Sequence, residues 1–269
     1  MKIGVSIVTC DRLFFLIKCI LSLGDTFDEL VVVDNGSERG VSAITSKYGY
    51  DLIYGGKSNS PHGQNLGLHH LAAKGCDVIL KSDDDVRYEE GYIKTLLKTW
   101  GGHFNEVAAI CGTCWSEQHP EIIHRGPDGW YSESGGKVSG ECIILDRMKI
   151  PVQLEMRHLH GSFLYRVSDA LELEKRTLLF GRRGAFPEYL GPVAFREETE
   201  FTMCLRQILK KKLVYDSRAV CFHYYAPGGI RRFDMVKEEK KDEEKVRQML
   251  RTLNLDGTLS PADCGSFQV

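Results

Sequence analysis

Three adjacent carboxylates, Asp83-Asp84-Asp85, directly follow the run Val78-Ile79-Leu80-Lys81-Ser82. Neighbouring carboxylates repel one another, and where they are partly buried a positive partner must offset their charge. A hard divalent cation suits them: Mg²⁺ takes one or two protein carboxylates and fills its shell with water and phosphate oxygens. On an extended segment Asp83 and Asp85 project to the same side. Taken alone, the cluster reads equally well as an acidic turn capping a helix from about Tyr88.

Further clusters carry compatible chemistry. Asp34-Asn35-Gly36-Ser37 ends the run Leu30-Val31-Val32-Val33. The Asp34 carboxylate can accept from a nucleobase N–H, and Gly36 lets a ligand approach the backbone. A plain β-turn is the bland alternative. Gly63-Gln64-Asn65-Leu66-Gly67 opens a helical stretch, and helix N-termini suit phosphate and ribose oxygens. Arg196-Glu197-Glu198-Thr199-Glu200 opens another, where carboxylates complement the helix dipole or supply a general base. Helical spacing sends Glu198 and Thr202 to one face and Glu197 and Glu200 elsewhere. His223 follows Ala219–Phe222, and a neutral imidazole can complete a metal site. Beyond it, Ala226-Pro227-Gly228-Gly229-Ile230-Arg231-Arg232 reads as a basic loop able to close over a diphosphate, arginine being matched to phosphate oxygens.

The elements that must position these residues alternate. Strands are expected at Ile3–Val8, Glu29–Val33, Leu52–Tyr54, Val78–Leu80, Glu106–Cys111, Glu141–Leu145, Gly161–Arg166, Leu213–Tyr215 and Ala219–Phe222. Helices are expected at Leu13–Leu23, Gly40–Tyr48, Gln64–Lys74, Ser168–Glu174, Glu197–Lys210 and Val236–Leu253, with Gly75 closing the third. Residues from about Thr113 to Val138 read as loop or hairpin. Alternation of this kind predicts an α/β fold: a mostly parallel sheet with helices on both faces. In such sheets ligands bind beyond the carboxyl ends of the strands, where the clusters of the first half sit.

The bulk properties agree. The chain has 269 residues, 42% hydrophobic and 27% charged, enough apolar material for a substantial core. A formal charge of −2 argues against general nucleic-acid binding, which calls for a basic excess. The longest early apolar run, Leu13 to Leu23, is broken by Lys18 and is too short for a transmembrane segment. The start leads straight into a strand, unlike a signal peptide. Nine scattered cysteines, an odd number, suggest reduced thiols and a cytoplasmic location. Cys111-x-x-Cys114 with His119 and His124 has a possible zinc spacing, although buried thiols at a strand end are the expected reading.

Together the motifs resemble family 2 glycosyltransferases, which have the GT-A fold. The match runs in order over about residues 3–225. Val5-Ser6-Ile7-Val8-Thr9-Cys10-Asp11-Arg12 resembles that family's opening "VSIIIPTYNR" segment, and Val31-Val32-Val33-Asp34-Asn35-Gly36-Ser37 its "VVVDNGS" segment. Asn65-Leu66-Gly67 resembles "N-x-G", Asp83-Asp84-Asp85 the D-x-D motif, and Gly161-Ser162-Phe163-Leu164-Tyr165-Arg166 "G-x-F-x-x-R". Glu197-Glu198-Thr199-Glu200-Phe201 stands where "E-D-x-D-L" is usual, and His223 where many members place a metal-binding histidine.

The resemblance implies a GT-A domain over residues 1–225, with a Rossmann-like nucleotide-sugar-binding half (1–105) and an acceptor and catalytic half (106–225). A loop and charged helix follow at 226–269. It implies metal-dependent transfer of a sugar from a nucleoside diphosphate sugar, UDP favoured, to an acceptor hydroxyl, by inversion. Thr9, Asp11, Arg12, Asp34, Gly36, Asn65, Gly67, Asp83, Asp84 and Arg231 would bind the donor. Asp83, Asp85 and His223 would hold Mn²⁺ or Mg²⁺. Gly161 and Ser162 would face the acceptor. Glu198 would be the base, with Glu197 as substitute. Cys10 replaces a usual aromatic, Asp11 a usual Asn, and Glu198 the commoner Asp. No motif encodes the acceptor, the donor sugar or the oligomeric state. Two rivals remain: a nucleotidyltransferase, which would show a Gly-rich basic loop after the first strand, and a non-catalytic nucleotide-sugar or glycan-binding module.

Overall fold

The structure, a computed structural model, describes residues 1–38, 40–56, 59–117, 122–126, 129–132, 153–159, 161–194, 196–224 and 235–255. The first half alternates: β1 (Ile3–Thr9), α1 (Leu13–Ser22), β2 (Glu29–Asp34), α2 (Val41–Tyr48), β3 (Asp51–Tyr54), α3 (Ser60–Ala73), β4 (Val78–Asp83), β5 (Val86–Tyr88) and α4 (Tyr92–Gly101). The second half adds β6 (Val107–Ser116), β7 (Ile122–Gly126), β8 (Gly129–Ser132), β9 (Gln153–Glu155), β10 (Phe163–Arg166), α5 (Val167–Leu178), α6 (Glu197–Ile208), β11 (Lys212–His223) and α7 (Met235–Thr252).

One sheet runs β3-β2-β1-β4-β10-β6-β11-β5, with β7, β8 and β9 on side branches. Its β3-β2-β1-β4 part is parallel, β10 is antiparallel to both neighbours, and β6 and β11 are again parallel. The chain steps outward from β1 through β2 to β3 and then returns to the other side of β1 as β4. That reversal leaves a crevice between the carboxyl ends of β1 and β4, where Val8 is in register with Asp83.

Period-two alternation divides the apolar side chains between the two faces. Val31, Val33, Ile79, Phe163 and Tyr165 join Leu68, Phe186, Phe201, Val246 and Leu250 in one core. Val5, Ile7, Val32, Leu80 and Ile110 join Leu16, Ile20, Ile93, Leu96 and Trp100 in the other. Lys81 and Asp83 follow Ile79 at alternate positions, which places them on the side of the first core, where α6 packs.

Several boundaries differ from expectation for local reasons. Helix α3 begins a turn early because the Asn59 side chain accepts the His62 N–H at 3.1 Å and Pro61 preorganises the first turn. The helix expected from about Tyr88 starts at Tyr92, and the segment before it is strand β5. The two strands expected at Leu213–Tyr215 and Ala219–Phe222 are one, β11, with a register shift between Asp216 and Val220. The loop or hairpin expected near Thr113–Val138 contains the antiparallel pair β7–β8. The strand expected at Glu141–Leu145 lies outside the described residues. Among the described residues no helix is long and apolar enough to cross a membrane.

Candidate active site

Strand β5 pairs antiparallel with β11 so that His223 is opposite Val86, and Tyr224 donates its N–H to the Asp85 carbonyl at 2.8 Å. This registration carries the end of the last strand to the aspartate cluster. His223 Nε2 stands 3.3 Å from Asp85 Oδ1. Ligand atoms of Asp83, Asp85 and His223 all lie within 4.8 Å of one another. Two carboxylates and an imidazole form a donor set that fits a hard or borderline divalent ion.

The remaining aspartate charge is met by Arg12. Its Nη2 lies 2.6 Å from Asp84 Oδ1, and its Nη1 donates to Asp85 Oδ2 at 2.7 Å. Thr9 Oγ1 donates to Asp84 Oδ2 at 2.7 Å. Burial pushes the Asp84 carboxyl up to about 7; Arg12 opposes this and Asp85 reinforces it. Burial also acts to raise Asp85, but His223 and Arg12 outweigh it and hold its carboxyl below the ordinary range. The middle aspartate is therefore an internal partner of Thr9 and Arg12, while the outer two meet His223.

On the α6 side, Lys81 is fully buried. Its Nζ is 2.8 Å from Asp83 Oδ1, 2.9 Å from Glu198 Oε1 and 3.2 Å from Glu197 Oε1. Three ammonium protons thus meet three carboxylates. Ser60, the first residue of α3, also donates to Glu197 Oε1, at 3.1 Å. The other oxygen, Glu197 Oε2, is buried without a hydrogen-bond partner among the described residues. Burial pushes the Glu197 carboxyl up to about 7; Lys81 acts against the shift, while Glu198 and Asp83 add to it. Glu198 is the more open of the two, its side chain 14% exposed against 7%. The expectation that Glu197 diverges from Glu198 is corrected here, because the long Lys81 arm draws both side chains together. Glu200 does diverge, pairing with the buried Arg182 at 2.9 Å.

The two loops beyond β1 and β2 are latched together. Asp11, in the left-handed region at φ 54°, donates its N–H to Ser37 Oγ at 2.9 Å and accepts the Glu38 N–H at 2.8 Å. Asp34 Oδ1 accepts the Ser37 N–H at 2.8 Å, and Gly36 has φ 92°. This is a turn capped by its own aspartate, at the lip of the crevice.

Other singled-out residues have packing roles in the structure. Asn65 donates to the Phe186 carbonyl at 3.0 Å and to Glu188 at 2.8 Å, and accepts the Phe186 N–H at 2.8 Å. It latches the segment around 186 onto α3. A Cβ on Gly67 would lie 2.1 Å from Ser6 Oγ, so this glycine permits close contact between α3 and β1. Gly161, at φ 62°, and Ser162 precede β10; Ser162 Oγ accepts the Tyr88 hydroxyl at 2.8 Å and is buried. Arg231 lies outside the described residues.

The zinc spacing is not assembled by the strand. Cys111 and Cys114 are three apart on β6 and join opposite cores, so their thiols diverge; His119 lies outside the described residues. Among those residues the Asp83–Asp85–His223 group is the only one of its kind. Sequence reasoning passed over Lys81. The clue was available: a lysine inside an apolar strand, two positions before Asp83, must share that aspartate's face.

No protein-family model matches the chain, and no curated protein matches it in sequence. Solved structures do. Staphylococcus aureus TarS 1–349 is 17% identical with a TM-score of 0.59, covering 95% of this chain and 66% of that one. The same protein in complex with UDP-GlcNAc gives 16%, 0.59, 95% and 68%. A mycobacterial protein gives 14%, 0.54, 95% and 76%. The chain thus spans about two thirds of TarS 1–349. This likeness establishes the fold: a GT-A-type mixed sheet, mostly parallel, with helices on both faces.

Proposed function

We propose that this chain is a glycosyltransferase that moves a sugar from a nucleoside diphosphate sugar to an acceptor hydroxyl, with inversion. The observation that carries this reading is the convergence, at the carboxyl end of β4, of the Asp83–Asp85–His223 group and the Glu198 carboxylate, bridged by Lys81. A donor site and a base side by side suit a displacement in which one oxygen attacks while another leaves.

Glu198 accepts the proton of the acceptor hydroxyl as its oxygen bonds to the anomeric carbon. The bond from that carbon to the diphosphate oxygen breaks, and the nucleoside diphosphate departs with the electron pair. Glu197 is less suited to this role, because it is more buried and already receives Ser60. Asp83, Asp85 and His223 would hold Mn²⁺ or Mg²⁺, which supplies charge neutralisation for a departing diphosphate. Arg12 and Lys81 keep the aspartates oriented. The lip at Asp34, Gly36 and Asp11 suits the nucleoside, and Gly161 and Ser162, just before β10, would border the acceptor side.

UDP is favoured as the nucleotide: the structurally similar TarS was crystallised with UDP and with UDP-GlcNAc. A nucleotidyltransferase is disfavoured, since the loop after β1 commits Arg12 to Asp84 and Asp85. The deciding experiment is a thermal-shift screen of nucleoside diphosphates and their sugars, with and without Mn²⁺, followed by assay of nucleoside diphosphate release. Selective stabilisation by one nucleotide with Mn²⁺ is expected, since a ligand bound only by the folded state raises its melting temperature. Indifference to every nucleotide would remove the reading.

A further inference from the structure

We propose that Lys81 is a positioning residue: its buried ammonium ties the Asp83 and Glu198 carboxylates to one point and so fixes the base against the donor-side aspartate. The inference rests on the preceding reading, in which Glu198 is the base.

Lys81 lies on β4 in the middle of the sheet, flanked by β1 and by β10, with Phe163 directly opposite. Nothing in its position on the sheet asks for a charge; its neighbour Ile79 on the same face joins the apolar core. An apolar side chain would serve packing there at least as well, because buried ion pairs seldom stabilise relative to apolar replacements. The charge instead serves geometry. Nζ is 2.8 Å from Asp83 Oδ1 and 2.9 Å from Glu198 Oε1, so the two carboxylates are anchored from beneath. Both are more open than the ammonium, at 21% and 14% against 0%. A glutamate has three rotatable side-chain bonds, and Glu198 stands in the first turn of α6. Lys81 selects the rotamer that aims its carboxylate toward Asp83.

The test is a kinetic double-mutant cycle of Lys81→Met and Glu198→Gln, with UDP binding measured in parallel by calorimetry with Mn²⁺. Displacing a reacting group by an ångström lowers turnover about a hundredfold, so Lys81→Met is expected to lower kcat about that much. Acceptor KM is expected to stay within about threefold of wild type, and UDP affinity in Mn²⁺ to weaken by less than kcat falls, since Asp83 loses the same anchor. In the Glu198→Gln background the further loss is expected to shrink below about threefold, because the residue acts through Glu198. Equal losses in both backgrounds, or a Lys81→Met enzyme with wild-type kcat, overturn the proposal. If Lys81→Met does not fold, the comparison is made between Glu197→Gln and Lys81→Met/Glu197→Gln, which removes one charge of each sign. Failure of that pair to fold makes Lys81 a folding requirement and also overturns it. A wild-type chain that transfers no sugar from any donor refutes the glycosyltransferase reading itself, a result distinct from all of these.

Discussion

Nε2 of His223 and Oδ1 of Asp85 are 3.3 Å apart because β11 and β5 are paired across them. Neither residue reaches the other through its own segment alone. Replacing Asp85 with Asn, or His223 with Ala, is therefore expected to weaken UDP binding in Mn²⁺ by about tenfold or more, as ligand losses do. Binding without metal should change little. Calorimetric titration with and without EDTA reads both; an undiminished Mn²⁺ requirement in either variant would count against the ion site.

Glu198→Gln keeps the shape of the side chain and its contact with Lys81 but cannot take a proton. Turnover is expected to drop by about two to four orders of magnitude, the usual contribution of general base catalysis, with UDP affinity nearly unchanged. Steady-state kinetics beside calorimetry checks this. Full turnover in the variant would transfer the role of base elsewhere.

Glu197 predicts a pH effect on stability. Its carboxyl is pushed from 4.5 up to about 7 in the folded protein, chiefly by burial. Below 4.5 both states hold the proton and the residue contributes nothing. Between 4.5 and about 7 the folded state binds more protons than the unfolded, so wild-type stability declines as pH rises. Above 7 the whole penalty persists. Glu197→Gln does not titrate, so its stability relative to wild type should grow across that window by on the order of 3 kcal/mol, at about 1.4 kcal/mol per pKa unit. Urea unfolding without metal at pH 4.5, 6 and 7.5 measures it, and a constant difference would contradict the burial argument.

Gly67 predicts a purely structural loss. A methyl group there would meet Ser6 Oγ at 2.1 Å, an overpacking that typically costs about 1–3 kcal/mol. Gly67→Ala should lower the urea midpoint, and adding Ser6→Ala should recover part of the loss. If Gly67→Ala is neutral for stability yet abolishes UDP binding, Gly67 belongs to the nucleotide site after all.

Cys10 offers a label for the crevice. Among the described cysteines it alone is not buried, and it sits between Thr9 and Asp11. Burial pushes the Cys19 thiol up to about 12, leaving it unreactive. Mass spectrometry after brief alkylation should find Cys10 modified first among these residues and protected by UDP with Mn²⁺. Unprotected alkylation would place the nucleotide away from this loop.

Much of the first half was legible because its strands are short β-branched runs ending in polar residues, so β1, β2 and β4 and the clusters at their ends could be read directly. The aspartate cluster, His223 and Glu198 were singled out from residue type and order. What stayed hidden depended on contacts between distant segments. Strand β5 is only three residues, Val86–Tyr88, too short for periodicity to reveal. Asn65 and Gly67 match a motif, yet their partners, Phe186 and Ser6, are chosen by tertiary packing. Lys81 is a single cation in an apolar strand and carries no sequence pattern of its own.

The left-handed backbone at Asp11 bears on engineering this loop. At φ 54° asparagine and glycine tolerate the conformation far better than branched side chains. Asp11→Asn should therefore preserve the loop's shape while removing a negative charge from the entrance for a polyanionic ligand. Asp11→Val would instead force the backbone to reorganise, releasing Ser37 and Glu38 as well. Mutational tolerance here is set by a torsion angle as much as by ligand contacts, and a library built at this position should be weighted accordingly.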